Sequence, residues 1–231
     1  MSDDDRRLES YFALVGQYPA MFENPEGAGF RIVLEPHRIR EAERGMAERL
    51  AKRGLAEEWG HVGVVFQDAY MTILRDAVEF PNGTLGTYVR SCRPGGVPGV
   101  VVLAMRYDKV LLVRHFRHAT RRWHIEVPRG FGEPGKTSDE NARKELLEEI
   151  GSVPVELVAL GPMFTDNGIG TGQAELFFAK VDSIGEIERD EGITSLIEAS
   201  IAEVEALIAS AEIDDSFTIA AFARARLRGL L

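Results

Sequence analysis

Three glutamates crowd one short stretch of the sequence, directly after a glycine-rich loop. The segment RGFGEPGKTSDENARKELLEEIGS covers residues 129–152, and Glu145, Glu148 and Glu149 fall within little more than one helical turn of it. Carboxylates three and four residues apart on a helix are surface neighbours that repel one another. Their oxygens are also the hard ligands that Mg²⁺ and Mn²⁺ prefer. The spacing therefore indicates either a cation-binding face or a solvated acidic face.

The local sequence predicts a loop followed by a capped helix. Thr137 and Glu140 match the T-x-x-E pattern of a capping box, and Gly151 supplies a natural stop. The leucines and isoleucine of the stretch form an apolar face beside the glutamates, which can anchor the helix in a core. The glycines of the loop would let its backbone carbonyls approach an ion bound by the helix.

The whole chain has the composition of an ordinary globular protein. Its 231 residues are 45% hydrophobic and 28% charged, which suits one large domain or a core with an appended subdomain. The single cysteine, Cys92, excludes an internal disulfide, and no Cys/His cluster has the spacing of a structural zinc site. No apolar run resembles a membrane span, and the acidic start MSDDDRRLES lacks the apolar segment of a secretory signal. We therefore expect a cytoplasmic protein that does not enter membranes.

The charge distribution favours a small anionic ligand. A formal net charge of -10 disfavours nonspecific binding to nucleic acid or to an anionic membrane, because both require a positive surface. The exception is a basic island between residues 106 and 129, which also holds His115, His118 and His124. Its cationic residues are Arg106, Lys109, Arg114, Arg117, Arg121, Arg122 and Arg129. A basic strand edge that discourages strand pairing would have the same composition.

Hydrophobic periodicity divides the chain into three parts. Residues 1–58 are predicted to form a helical extension around one short strand, and residues 59–96 an antiparallel meander with a turn at PNG. Residues 97–231 predict strands on both sides of the acidic helix, then helices at about residues 199–209 and 216–230. This order favours an α+β (mixed α/β) fold in which helices sandwich a mixed sheet.

From Gly130 onward, the stretch resembles the Nudix box of the Nudix hydrolase superfamily. The family pattern is G-x5-E-x7-R-E-U-x-E-E-x-G-U, where U is a bulky aliphatic residue, and this chain reads G-x5-K-x7-K-E-L-L-E-E-I-G-S. Lys136 replaces the family's first glutamate, Lys144 its arginine and Ser152 its last aliphatic residue. In the family, that glutamate and arginine commonly pair and brace the loop against the helix. The two lysines must instead find other acids, and Asp139, Glu140 and Glu148 are nearby in sequence.

The resemblance implies a site for Mg²⁺ or Mn²⁺. Glu145 and Glu149 would be the principal metal ligands, Glu148 a further or water-mediated ligand, and the backbone carbonyl of Arg129 a supporting contact. A metal there would neutralise diphosphate charge and generate a hydroxide-like nucleophile near neutral pH. A later loop, IERDEGITSL, would supply the general base. Glu191 is the first choice for that role and Glu148 the second.

The resemblance extends to the ADP-ribose pyrophosphatase branch over roughly residues 97–228. It is carried by VLLVRHFRHATRRWHIEVPRGF and AEIDDSFTIAAFARARL. It implies that Arg117 binds substrate phosphate and that Glu126 lies near the metal or substrate. Arg114 and Arg129 of the basic island are the further candidate substrate-binding residues. It also implies a homodimer built through the sheet that precedes the core. Trp123 would either stack on a base or pack in the core.

These features predict an enzyme that hydrolyses the pyrophosphate bond of a nucleoside diphosphate linked to a sugar. ADP-ribose is the first candidate substrate, and the products would be a nucleoside monophosphate and a sugar phosphate. The segment FTDNGIGTGQAE lacks the proline-containing turn typical of the branch, so other nucleotide sugars stay open. Two alternatives remain: a non-catalytic Nudix-fold nucleotide sensor, and a hydrolase of nucleoside triphosphates or diadenosine polyphosphates.

Overall fold

The structure, a computed structural model, describes residues 3–186 and 192–231. These residues form two compact units. The first unit extends to Gly95 and includes Asp166–Gly172, and the second comprises Gly96–Thr165 and Gln173–Leu231. Within the described ranges, no helix has the length and apolar character needed to cross a membrane.

In the first unit, two helices and a four-stranded antiparallel sheet share one core. The elements are α1 (Asp3–Gln17), β1 (Arg31–Ile32), α2 (Pro36–Ala51), β2 (Gly63–Gln67), β3 (Thr72–Glu79) and β4 (Leu85–Cys92). Strands β1, β2 and β4 each pair antiparallel with β3. Tyr11 of α1, Ile39 of α2 and Leu74 of β3 are all buried in the same apolar cluster. The segments predicted as a helical extension, 1–58, and a sheet, 59–96, therefore pack together, since each covers the apolar face of the other.

The segment Asp166–Gly172 belongs to the first unit through hydrogen bonds to β4. The backbone N–H of Ser91 donates to the carbonyl of Ile169 at 2.8 Å, and the N–H of Thr171 donates to the carbonyl of Ser91 at 3.0 Å. The Tyr88 hydroxyl of β4 donates to the carbonyl of Gly168, which is also in the segment, at 2.9 Å. In the ADP-ribose pyrophosphatase branch this turn typically carries a proline. Here the turn is held by hydrogen bonds to β4.

The second unit is a mixed sheet with helices on both faces. Its elements are β5 (Gly99–Arg106), β6 (Lys109–Arg117), β7 (Arg122–Glu126), β8 (Arg129–Gly130), α3 (Ser138–Ile150), β9 (Pro154–Phe164), β10 (Gln173–Val181), β11 (Ile193–Ser200), α4 (Ile201–Ala209) and α5 (Ser216–Leu227). The strand order is β11-β6-β5-β10-β9, with β7 beside β6 and β8 beside β5. Strands β5 and β10 are parallel, whereas β6 is antiparallel to its neighbours.

Two apolar clusters hold the helices of the second unit on its sheet. Leu146 and Ile150 of α3 are buried in one cluster, and Val204 of α4 and Phe222 of α5 are buried in the other. Alternate residues of β5 and β6 enter the two clusters, as expected for strands covered on both faces. The predicted α+β fold with a mixed sheet between helices is confirmed.

Strand β11 is absent from the sequence prediction, which instead begins the next helix two residues too early. The strand pairs with β6, and a register shift between Ile193 and Ser195 interrupts its alternation. Its apolar residues Ile193, Leu196, Ile197 and Ala199 consequently do not follow a period of two. The bulge thus removes the alternation of apolar and polar residues by which a strand is recognised in a sequence.

A buried carboxylate lies among the polar contacts of the first unit. Asp76 is 3% exposed and accepts a hydrogen bond of 2.6 Å from the Tyr11 hydroxyl. The Arg90 Nε lies 2.6 Å from the other oxygen of the Asp76 carboxylate. Burial, followed by the charge of Asp76, raises the pKa of Tyr11, so its hydroxyl keeps the proton that it donates.

We predict that Asp76→Ala lowers the free energy of unfolding by about 3 kcal/mol, because Arg90 and Tyr11 both lose a buried partner. Tyr11→Phe removes one hydrogen bond and should cost about 1 kcal/mol. Chemical denaturation followed by circular dichroism measures both losses. Equal losses in the two variants would contradict the central position of Asp76.

Candidate functional site

Helix α3 begins and ends where its sequence predicts. The Glu140 N–H donates to Thr137 Oγ1 at 3.2 Å, and the Thr137 N–H donates to the Glu140 carboxylate at 2.7 Å, which completes the capping box. The helix is capped by Gly151, whose φ of 62° lies in the left-handed region. A Cβ at Gly151 would lie 2.6 Å from the Cα of Gly185, so a side chain does not fit there. These contacts fix the position of the acidic residues along the helix.

Helix α3 buries two of its three clustered glutamates. Glu145 is 9% exposed and Glu149 is 3% exposed, whereas Glu148 faces solvent. Residues four apart lie on the same side of a helix, so the two buried carboxylates are neighbours. The oxygen Oε2 of Glu149 is buried and has no hydrogen-bond partner in the part of the chain that the structure describes. The pair is thus sequestered from water with one acceptor unused.

The electrostatics of this pair favour a bound positive charge. Burial and then the charge of Glu145 raise the pKa of Glu149 to about 8. A backbone hydrogen bond from Arg129 and the charge of Arg117 act in the opposite direction but do not compensate. Near neutral pH, one carboxyl of the pair therefore holds a proton in the absence of another cation.

Gly130 allows the loop backbone to approach Glu145. A Cβ at Gly130 would lie 2.2 Å from the carboxylate carbon of Glu145, well inside van der Waals contact. Strand β8 fixes this part of the loop by pairing Gly130 with Val100 and Arg129 with Val101 of β5. The glycine predicted to open the motif is therefore required by the close contact between the loop and α3.

A third carboxylate comes from the end of β7 and is surrounded by two arginines and a histidine. Glu126 is 1% exposed, and its Oε1 pairs with Arg117 and lies 3.2 Å from His115 Nδ1. Its Oε2 lies 3.3 Å from a guanidinium nitrogen of Arg129. The charge of Glu126 contributes to the raised pKa of Glu149, which places it in the same electrostatic neighbourhood. The site thus has a carboxylate-rich side and a cation-rich side.

The C-terminal helix positions Arg129. The Asp215 carboxylate lies 3.4 Å from the Arg129 guanidinium and also caps α5 by accepting the N–H of Thr218 at 2.8 Å. The Arg129 guanidinium carbon lies 4.9 Å from the centre of the Phe217 ring, as in a cation–π contact. The orientation of Arg129 is therefore coupled to the start of α5.

The structure brings most of the predicted site residues together. Those that share one neighbourhood are Arg117, Glu126, Arg129, Glu145 and Glu149. Arg114 is not among them, because strand alternation puts it on the face of β6 opposite to Arg117 and His115. Its guanidinium carbon lies 4.7 Å from the centre of the Trp123 ring, and Trp123 is 42% exposed rather than packed in the core.

Two other predicted residues have different outcomes. Glu148 lies on the solvent side of α3 and pairs with Lys144. Glu191, the first choice for general base, lies outside the described residues. Neither His115 nor Asp215 was among the predicted site residues, because their contacts with Glu126 and Arg129 depend on how distant elements pack. The sequence signal available for Asp215 was its position before SFT, where an aspartate can cap the last helix.

The donor set fits a divalent cation in chemistry and in charge. Carboxylate oxygens are the ligands of Mg²⁺ and Mn²⁺, and the unpartnered oxygen of Glu149 leaves one acceptor for such an ion. A cation would also relieve the repulsion between Glu145 and Glu149. Among residues 3–186 and 192–231, no group of three or more His, Cys, Asp or Glu side chains is already arranged to hold an ion. The fit therefore rests on the Glu145–Glu149 pair.

Comparison with known proteins gives a family and a fold. The model of the NUDIX domain matches residues 95–222. The ADP-ribose pyrophosphatase of Bacillus subtilis (strain 168) is 26% identical over 171 residues, which cover 72% of this chain and 91% of that protein. The methanol dehydrogenase activator of Bacillus methanolicus is 27% identical over 161 residues, covering 68% and 85%.

A solved structure extends the likeness to three dimensions. The crystal structure of an ADP compounds hydrolase superposes with a TM-score of 0.65 at 22% identity, covering 74% of this chain and 93% of that chain. This match shows the fold, and the domain match covers more than half of the sequence. The chain therefore belongs to the NUDIX domain family and is a Nudix hydrolase that resembles the ADP-ribose pyrophosphatase branch.

Proposed function

We propose that this protein is a divalent-metal-dependent pyrophosphatase of a nucleoside diphosphate linked to a sugar, with ADP-ribose as the first candidate substrate. The observation that carries the proposal is the buried Glu145–Glu149 pair beside Gly130. The name of the Bacillus subtilis relative supports ADP-ribose. A relative of similar identity is named as a methanol dehydrogenase activator, so the substrate has to be determined with a panel.

Glu145 and Glu149 are the proposed principal ligands of Mg²⁺ or Mn²⁺. When bound, the ion supplies charge neutralisation for the diphosphate and a more acidic water. The chain's own contribution is to exclude bulk water from the two carboxylates and to hold them on one helix face. The backbone carbonyl of Arg129 is the proposed supporting contact. The N–H of the same residue donates a hydrogen bond to the Glu149 carboxylate, so this part of the backbone lies beside the proposed ligands.

Arg117 and Arg129 are the proposed phosphate-binding residues. Their side chains are 27% and 24% exposed, so each can contact a ligand while Glu126 orients it. A guanidinium held in this way presents two N–H groups to a phosphate with its geometry already set. Glu126 is proposed to act through these arginines. Arg114 is left out of the proposed site, since it lies on the other face of its strand.

The proton acceptor for the attacking water is proposed from the sequence. Glu191 remains the first candidate. Glu148 is the second, but its carboxylate is engaged by Lys144 and would have to leave that ion pair to reach the site. Substitution of each residue by glutamine, with kcat followed against pH, distinguishes the two. Loss of the acidic limb of the profile identifies the base.

We also propose that the protein is a homodimer that assembles through the first unit. The resemblance implies this assembly, and the β2–β3 hairpin supports it by exposing Val65, Phe66, Tyr70 and Met71. Light scattering after gel filtration should give twice the chain mass of 25.6 kDa. The monomer mass at micromolar concentration would contradict the assembly.

A substrate panel tests the proposed function. The protein is incubated with ADP-ribose, other nucleotide sugars, nucleoside triphosphates and diadenosine polyphosphates, each with Mg²⁺ or Mn²⁺, and the products are read by mass spectrometry. We expect nucleoside monophosphate and sugar phosphate, and no products after chelation of the metal. Binding of ADP-ribose without turnover under every metal condition would indicate a nucleotide sensor instead. Cleavage restricted to triphosphates or diadenosine polyphosphates would overturn the substrate class.

We predict that Glu145→Gln and Glu149→Gln each lower kcat by roughly 100-fold or more, because each removes charge that stabilises the transition state. Glu156→Gln is the matched control, since Glu156 is a half-exposed carboxylate of the same unit that pairs with Lys180 at 2.8 Å. Its kcat should equal that of the wild type. Steady-state kinetics on the best substrate of the panel measures all three.

We predict that Glu149→Gln makes the metal-free protein more stable at pH 8, although the same substitution lowers kcat. The folded pKa of about 8 lies above that of an unfolded glutamate, so the wild type takes up a proton on folding and loses stability as pH rises from about 5 to 8. Glutamine carries no charge, so at pH 8 the variant should be more stable by on the order of 1 kcal/mol or more. Thermal unfolding in a chelator at both pH values measures this difference. A variant less stable than the wild type at pH 8 would contradict the burial of a repelled carboxylate.

A further inference from the structure

We propose that Glu133 is a positioning residue that braces the glycine loop against α3. It takes over the role of the glutamate–arginine pair whose positions are occupied here by Lys136 and Lys144. The inference rests on the proposed function and adds to it a residue that lies at an unspecified position of the motif.

The Glu133 carboxylate bridges the two lysines. Lys136 Nζ lies 2.6 Å from Glu133 Oε2, and Lys144 Nζ lies 3.2 Å from Glu133 Oε1. Each oxygen thus accepts from one ammonium group. The Glu133–Lys144 ion pair joins the loop to α3. Among the acids suggested by the sequence, Glu140 completes the capping box and Glu148 shares Lys144 with Glu133.

The backbone of Glu133 is tied to the same helix. Its N–H donates to Asn141 Oδ1 at 3.2 Å, and Asn141 is 2% exposed. Asn141 and Lys144 are three residues apart, so they lie on the same side of α3 and hold Glu133 at two points. The loop therefore cannot shift along the helix without breaking a partly buried hydrogen bond and an ion pair.

This brace connects the two halves of the site. The loop follows directly from Arg129 and Gly130, whereas α3 carries Glu145 and Glu149. Ion pairs between half-exposed groups contribute little to global stability. Small displacements of reacting groups, in contrast, cost large factors in rate. The expected signature of Glu133 is thus a loss of kcat with little change in thermal stability.

The test compares Glu133→Gln with Glu156→Gln, whose side chains are 44% and 43% exposed and which each pair with lysine in the wild type. We expect Glu133→Gln to lower kcat roughly 10-fold or more, with KM unchanged. Amide hydrogen exchange in residues 131–137 should become faster, while the unfolding temperature falls by no more than about 3 °C. Glu156→Gln should change none of these quantities.

Variants of the two lysines show which ion pair matters. Lys144→Gln should reproduce the effect of Glu133→Gln, and Lys144→Arg should retain most of kcat. Because both groups act through one contact, the double variant Glu133→Gln/Lys144→Gln should lose no more kcat than either single variant. Lys136→Gln should have a smaller effect, since the link from Glu133 to Lys144 remains.

Two results would overturn the brace: unchanged kcat and unchanged exchange in Glu133→Gln, or losses in kcat that add in the double variant. A wild type that hydrolyses none of the panel substrates would overturn the proposed function instead. In that case, the exchange of residues 131–137 still decides the brace, because it is measured without substrate. Faster exchange in Glu133→Gln and not in Glu156→Gln would then support it.

Discussion

Repulsion between two carboxylates on one buried helix face is the interaction on which the proposed site of the second unit depends. Glu145 and Glu149 are four residues apart and largely withdrawn from water, and the pKa of Glu149 rises to about 8 in consequence. The fold holds this unfavourable pair in place through the apolar contacts of Leu146 and Ile150 on the same helix. The capping box and the left-handed Gly151 fix the ends of that helix. An arrangement that costs stability and is so firmly held is typical of a site that receives a cation.

On the arginine-bearing side of the site, opposite charges lie together instead of like charges. Glu126 is buried with Arg117, His115 and Arg129 around it, so its own charge is well compensated and the arginines are oriented. Asp215 extends this network to the start of α5. A diphosphate needs both kinds of surroundings, because its charge must be met by arginines while a metal ion is held close by. The ion pairs of Glu133 with Lys136 and Lys144 connect the loop that follows the arginine side to the helix that carries the carboxylates.

Local rules were sufficient to predict α3 and its caps, but not the burial of Glu145 and Glu149. Thr137, Glu140 and Gly151 act through contacts a few residues away, which a sequence displays directly. The roles of Glu133 and His115 depend on loop conformation and on packing between distant elements, and no spacing rule reveals them. The sequence shows Asp215 as a helix cap, but its contact with Arg129 depends on the same packing. Arg114 was grouped with Arg117 by composition, although the alternation of a strand separates them. Strand β11 was missed because a bulge breaks its period.

We infer that Glu145 and Glu149 together hold a divalent cation. Calorimetric titration of the chelator-treated protein with Mn²⁺ tests this claim without any substrate. We predict saturable binding to the wild type and to Glu156→Gln, with affinity reduced by roughly 10-fold or more in Glu145→Gln and Glu149→Gln. Equal Mn²⁺ affinity in all four proteins would show that the buried pair is not the metal site.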